Sequence, residues 1–93
     1  MPLPAKDVRA ALLKKGFKQR NTKDEMYNFY VAGKKTVVWT KISHGEKEIH
    51  DGLLGTMAKR QMRIPRKELD RFVECALSEA DYTKLLRDGK HIA

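Results

Sequence analysis

The stretch "MYNFYVAGKKTVVWTKIS", Met26 to Ser43, constrains the fold more than any other part of the chain. Aromatic and β-branched residues alternate on both sides of Gly33-Lys34, the pattern of two strands joined by a tight turn. At a period of two, Tyr27, Phe29 and Val31 share one face of the first strand, with Met26, Asn28 and Tyr30 on the other. In the second strand Thr36, Val38, Thr40 and Ile42 alternate with Val37, Trp39 and Lys41. Upstream, "FKQRNT" gives another strand, with Phe17 and Gln19 on one face and Lys18 and Arg20 on the other, and "KDE" turns the chain. Short connections predict an antiparallel meander. One face must pack on helices. The other keeps Tyr30, Val37 and Trp39, an apolar patch that calls for a cover, either the C-terminal helices or a second subunit.

Four helical segments surround these strands. "LPAKDVRAALLKKGF" places Val8, Ala11 and Leu12 on one stripe, with Pro4 in the first turn and Gly16 as a left-handed stop. A second helix runs from Asp51, taken as its N-cap, to about Met62, with Leu53, Leu54, Met57, Ala58 and Gln61 inward. "PRKELDRFVECAL" is a third, started by Pro65. "SEADYTKLLRDG" is a fourth, capped by Ser78 and ended by Gly89. The prediction is an α+β fold: a helix, a three-stranded antiparallel sheet and a helix over residues 1–64, with two added C-terminal helices over 65–93 packed on that core.

With 93 residues the chain suits one small domain with a modest core. No apolar run approaches the roughly 20 residues of a membrane helix. The start, "MPLPAKDVRAALLKK", has no apolar signal core, so a cytoplasmic location and no membrane partner are expected. A lone cysteine, Cys75, excludes an internal disulfide and is expected to be a small buried side chain. His44, His50, Asp51, Glu46 and Glu48 are ligand types without a metal-site spacing, so no metal or cofactor is predicted.

Charge says more. Residues 65–93 carry six Lys/Arg and six Asp/Glu, so the whole net excess of +8 lies in residues 1–64. A positive field confined to one part of a small protein attracts polyanions, RNA foremost. The candidate contacts are Lys18 and Arg20 on the first strand, Lys34 and Lys35 at the hairpin tip, and Lys41 on the third strand. Lys47 in the following join, and Lys59, Arg60 and Arg63 at the end of the second helix, complete the set. Cations at several separated points suit double-stranded RNA, which is read by shape through phosphates and 2′-hydroxyls.

Three pieces carry a resemblance: "LLKKGF" at Leu12–Phe17, "VVWTKISHGEKEI" at Val37–Ile49 and "GLLGTMAKRQM" at Gly52–Met62. Over about residues 5–64 the chain resembles the HicA family of toxin–antitoxin ribonucleases. That family places a glycine-phenylalanine after the first helix, a histidine at a strand end and a glycine opening the second helix. Here these are Gly16-Phe17, His44 and Gly52. The resemblance implies a fold like the double-stranded-RNA-binding domain, a metal-independent endoribonuclease activity and a HicB-like antitoxin partner. The family's catalytic histidine follows a Gly-Ser pair at the start of the second strand; "KDEMYNFY" has Asp24 and Glu25 there, so that residue is not carried over.

Cleavage of RNA needs a base near the 2′-hydroxyl, an acid near the leaving oxygen and cations on the phosphate. Histidine suits proton transfer near neutrality. His44, at a strand end beside Gly45, is therefore the candidate catalytic residue. His50 is a weaker one, His91 has no assigned role, and Glu25 is a carboxylate able to act as a base. Three readings stand: a HicA-like ribonuclease, a non-catalytic RNA-binding module, and an interaction protein that forms a homodimer through its apolar sheet face.

Overall fold

The computed structural model describes residues 2–92; Met1, and Ala93 at the end of the "KHIA" tail, lie outside them. The element order is β1 (Leu3–Pro4), α1 (Ala5–Lys14), β2 (Phe17–Asn21), β3 (Glu25–Val31), β4 (Lys34–Ile42), β5 (Glu48–Ile49), α2 (Asp51–Thr56), α3 (Arg66–Val73) and α4 (Glu79–Asp88). Strands β2, β3 and β4 form an antiparallel meander with β3 central, and the short β1 and β5 pair separately. The fold is α+β, with the expected three-stranded sheet.

The hairpin turn is Ala32-Gly33 rather than Gly33-Lys34. Both turn residues have positive φ, 52° and 78°, the combination that lets a two-residue loop follow the strand twist. Lys34 accordingly belongs to β4. Asn28 faces Trp39 and Tyr30 faces Lys35, so Thr36, Val37 and Val38 bulge opposite Phe29 alone. The Thr36 hydroxyl fills the gap in the ladder. It donates to the Phe29 carbonyl at 2.8 Å and accepts from the Val38 N–H at 3.2 Å. Two extra residues, not one, preserve the alternation of faces on either side.

One face of the sheet is buried: Phe17, Tyr27, Phe29, Val38, Thr40 and Ile42. Every long helix contributes to the same core, with Val8 and Leu12 from α1, Leu54 from α2, Leu69 and Phe72 from α3, and Tyr82 and Leu86 from α4. Phe17, Phe29, Phe72 and Tyr82 pack ring to ring at centroid distances of 5.0–6.1 Å. The C-terminal helices thus lie on the helical side of the sheet. They do not cover the opposite face, where Val37 remains 75% and Trp39 37% exposed. Aromatic α3 and α4 residues complete the core that α1 and α2 begin, so they have no apolar stripe left for the far side.

Several local expectations are corrected. Pro4 precedes α1 and pairs with Glu48 in the β1–β5 ribbon instead of sitting in the first turn. The N-cap of α2 is His50, whose Nδ1 accepts from the Leu53 N–H at 3.3 Å, while Asp51 lies in the first turn and pairs with Arg66. Beyond Thr56 the helix widens into π-helical turns, Met57–Gln61, closed by the Met62 N–H on the Met57 carbonyl at 2.7 Å. The third helix stops at Val73. Cys75 takes a left-handed φ of 65°, and the N–H groups of Ala76 and Leu77 fold back onto the Arg71 carbonyl. That turn aims Leu77 into the core and leaves Cys75 exposed, contrary to the expectation of burial.

Two residues lock the C-terminal segment to α1. Lys15 is only 5% exposed. Its ammonium donates to the carbonyls of Phe72 and, at 2.9 Å, of Leu77, and lies 4.8 Å from the Phe72 ring centre. A cation at the end of α3 suits the negative pole of that helix. The next residue, Gly16, has φ +95°, and a Cβ there would stand 2.9 Å from both Phe29 and the Glu79 carboxylate.

Candidate nucleic-acid interface

The open face of the sheet is built by alternation. Lys18 and Arg20 from β2, Met26, Asn28 and Tyr30 from β3, and Lys35, Val37, Trp39 and Lys41 from β4 share it. Cross-strand pairing sets Lys18, Asn28 and Trp39 in one row and Arg20, Met26 and Lys41 in the next. Four of the sequence-predicted cations therefore meet around an exposed indole. The strand positions of this face carry no carboxylate. Among the described residues its one ion pair is at the rim, Lys41 to Asp24 at 3.7 Å. The Lys18 ammonium lies 4.4 Å from the Tyr30 ring centre, a cation–π contact that fixes a flexible side chain over the sheet.

At the hairpin tip this face runs into a groove of about 580 Å³ floored by Val31, Val37 and Ile92 and edged by Lys34, Lys35 and Lys90. His91 lines this groove and also the adjacent depression that holds Lys59 and Arg63. Lys35 and Val37 belong to both sheet face and groove, so the basic surface is continuous from Lys41 to Lys90. Sequence reasoning left Lys90 and His91 without a role. Their place follows from the turn after α4, where the Lys90 φ of 60° and a bond from the His91 N–H to the Leu86 carbonyl redirect the tail. Lys47, in the join before β5, and Arg60, on the exposed side of the second helix, line neither the sheet face nor the groove.

His44 belongs to a different cluster, where the first residue of β3 meets the loop after β4. The register pairs Glu25 with Ile42, which carries the chain two residues on to His44 beside Glu25. The Glu25 carboxylate, 12% exposed, accepts from Arg9 Nε at 2.7 Å and from the Tyr27 hydroxyl at 2.9 Å. His44 Nδ1 lies 3.6 Å from its other oxygen. The far side of the imidazole, Nε2, is 3.3 Å from the Thr22 carbonyl, and the ring remains 49% exposed. Burial opposes ionisation of Glu25, but the hydrogen bonds from Arg9 and Tyr27 and the nearby positive charge outweigh it and hold its pKa below the usual carboxylate value. Burial first, and then the hydrogen bond to the Glu25 carboxylate, push the Tyr27 phenol up to about 12, with Arg9 opposing them. Glu25 is therefore ionised at neutral pH, with one oxygen holding two hydrogen bonds and the other 3.6 Å from His44. An ionised carboxylate held this way is a poor base.

Of the other expected groups, His50 is accounted for as a helix cap. Among the described residues no helix is long and apolar enough to cross a membrane, and no three His, Cys, Asp or Glu side chains gather as a metal site would require. Comparison with family models, with curated proteins and with solved structures finds no match to this chain.

Proposed function

We propose that this chain is an RNA-binding protein of the toxin–antitoxin type, a HicA-like protein or a divergent relative of that family, with the core of a double-stranded-RNA-binding-like fold. One observation carries the reading: the continuous basic surface that joins Lys18, Arg20, Lys35 and Lys41 on the sheet to Lys34, Lys90, Lys59 and Arg63 beyond the hairpin tip. Spaced cations over a surface poor in carboxylates bind phosphates and release their counterions. A HicB-like antitoxin is the protein partner this reading implies, its acidic surface covering the same cations. The test is fluorescence anisotropy with a labelled RNA stem-loop, which offers both paired and unpaired segments, over a series of salt concentrations. Four to seven phosphate contacts give a log–log slope of about −3 to −6. A slope near zero, or no binding at low salt, refutes the reading.

The His44–Glu25 contact favours a second reading on the same RNA, metal-independent cleavage. His44 would move the proton as a 2′-hydroxyl oxygen attacks the adjacent phosphorus and the 5′-oxygen departs, giving a cyclic phosphate and a 5′-hydroxyl end. Fragments of that chemistry in chelator, lost in His44→Ala with RNA binding retained, support it. Intact RNA under the same conditions leaves the binding module.

A further inference from the structure

The open sheet face has a property that phosphate binding alone does not need. Trp39, the one tryptophan of the chain, stands exposed in the middle strand row, flanked by Lys18 across the sheet and by Lys41 and Val37 along β4. We infer that the ligand of this face is single-stranded nucleic acid, with a base stacked on Trp39 and the backbone held by Lys18, Arg20 and Lys35. This rests on the RNA-binding reading and narrows it.

Geometry favours a single strand over a duplex. In a duplex every base is already stacked, and the grooves offer base edges and phosphates. A flat indole on a three-stranded sheet reaches neither. An unpaired base presents a π-face, and stacking on an aromatic ring is favourable whatever the base. Lys35 and Lys41 pair with Tyr30 and Met26, so they stand roughly 14 Å apart along the sheet, and three strands span about 10 Å across, an area that holds about two splayed bases. Lys18, pinned over Tyr30, meets the backbone without first losing all of its side-chain freedom.

Charge decides against a second copy of this chain. A second copy docked on a two-fold axis would set Lys18, Arg20 and Lys35 against the same three cations, since an isologous interface places like surface on like surface. An acidic protein would satisfy the cations but has no particular use for an exposed indole surrounded by them. A phosphodiester strand supplies both the anions and the ring.

The experiment uses the full chain and reads Trp39 emission together with anisotropy. The probes are labelled oligouridine and oligodeoxythymidine of about eight nucleotides, and an RNA duplex of about 16 base pairs. Single strands are expected to quench Trp39 and to bind at least about tenfold more tightly than the duplex. Equal binding of both oligonucleotides assigns recognition to bases and phosphates, and preference for oligouridine adds the 2′-hydroxyl; either supports the inference. Trp39→Ala is expected to weaken single-strand binding about 10–100-fold, with Trp39→Phe restoring much of it. Lys18→Gln and Arg20→Gln should each reduce the salt slope by about one. Duplex binding as tight as single-strand binding, with Trp39 emission unchanged, overturns the inference and leaves RNA binding intact. Failure of every nucleic acid at low salt removes both. Quenching by poly-glutamate with none by either oligonucleotide overturns it in favour of an acidic protein.

Discussion

Replacing Lys15 by methionine keeps the length and most of the volume of the side chain and removes only the ammonium. In the native protein that ammonium is buried and serves two main-chain acceptors, the carbonyls of Phe72 and Leu77. After the substitution Phe72 keeps the longer bond from the Cys75 N–H at 3.3 Å, while Leu77 loses the donor it has. An unsatisfied buried carbonyl costs about 1–3 kcal/mol, and loss of a cation at a helix C-terminus adds about 0.3–1 kcal/mol. Relief of the ammonium's own desolvation offsets part of this, so the net loss is about 1–3 kcal/mol. For a domain of this size each kcal/mol moves the melting temperature by roughly 5 °C, so Lys15→Met should melt roughly 5–15 °C below wild type. Thermal unfolding followed by far-UV circular dichroism measures it. Hydrogen exchange should locate the loss of protection in α3 and α4. A melting temperature within about 3 °C of wild type would refute the view that this lysine ties the C-terminal helices to α1.

Two further perturbations test neighbouring claims. Gly16→Ala meets both a left-handed backbone and contacts at 2.9 Å with Phe29 and Glu79, and should destabilise by about 1–3 kcal/mol in urea unfolding; an unchanged midpoint would contradict the packing of that corner. Glu25, with its folded pKa below the unfolded value, contributes stability that is present above about pH 4.3 and is lost as pH falls through the folded value. Glu25→Gln has no proton to take up, so the stability gap between wild type and variant should narrow from pH 5 to pH 3 in parallel urea titrations; a constant gap would rule out the Arg9–Glu25–Tyr27 cluster as its source.

The sheet was legible in the sequence because its signal is local. Alternation over Tyr27–Val31 and Thr36–Ile42 identifies both the strands and the buried face. The same alternation already puts Lys18, Arg20, Tyr30, Trp39 and Lys41 in two groups of outward positions, and only the register is needed to merge them. The location of α3 and α4 was not legible. Whether Phe72 and Tyr82 pack on Phe17 and Phe29 or on Tyr30 and Trp39 depends on contacts more than thirty residues apart in sequence, and either face would have accepted an aromatic stripe. Lys14 and Lys15 look alike in "LLKKGF", yet only Lys15 points at the end of another helix. The partnership of His44 with Glu25 had a readable signal in the hairpin itself. Pairing around the turn brings the start of β3 opposite the end of β4; Glu25 against Ile42 leads on to residue 23 against residue 44, which leaves His44 within side-chain reach of Glu25. Cys75 was misjudged because burial habit describes the average free thiol, and this one occupies a left-handed turn that points it outward.

The double-residue bulge at Thr36–Val38 limits how this chain can change length. Deleting or inserting a single residue there would invert the remainder of β4, sending Trp39 and Lys41 into the hydrophobic interior and Val38, Thr40 and Ile42 into water. Only even-numbered indels leave both surfaces the right way round, so related chains that differ in this hairpin should differ there by pairs of residues.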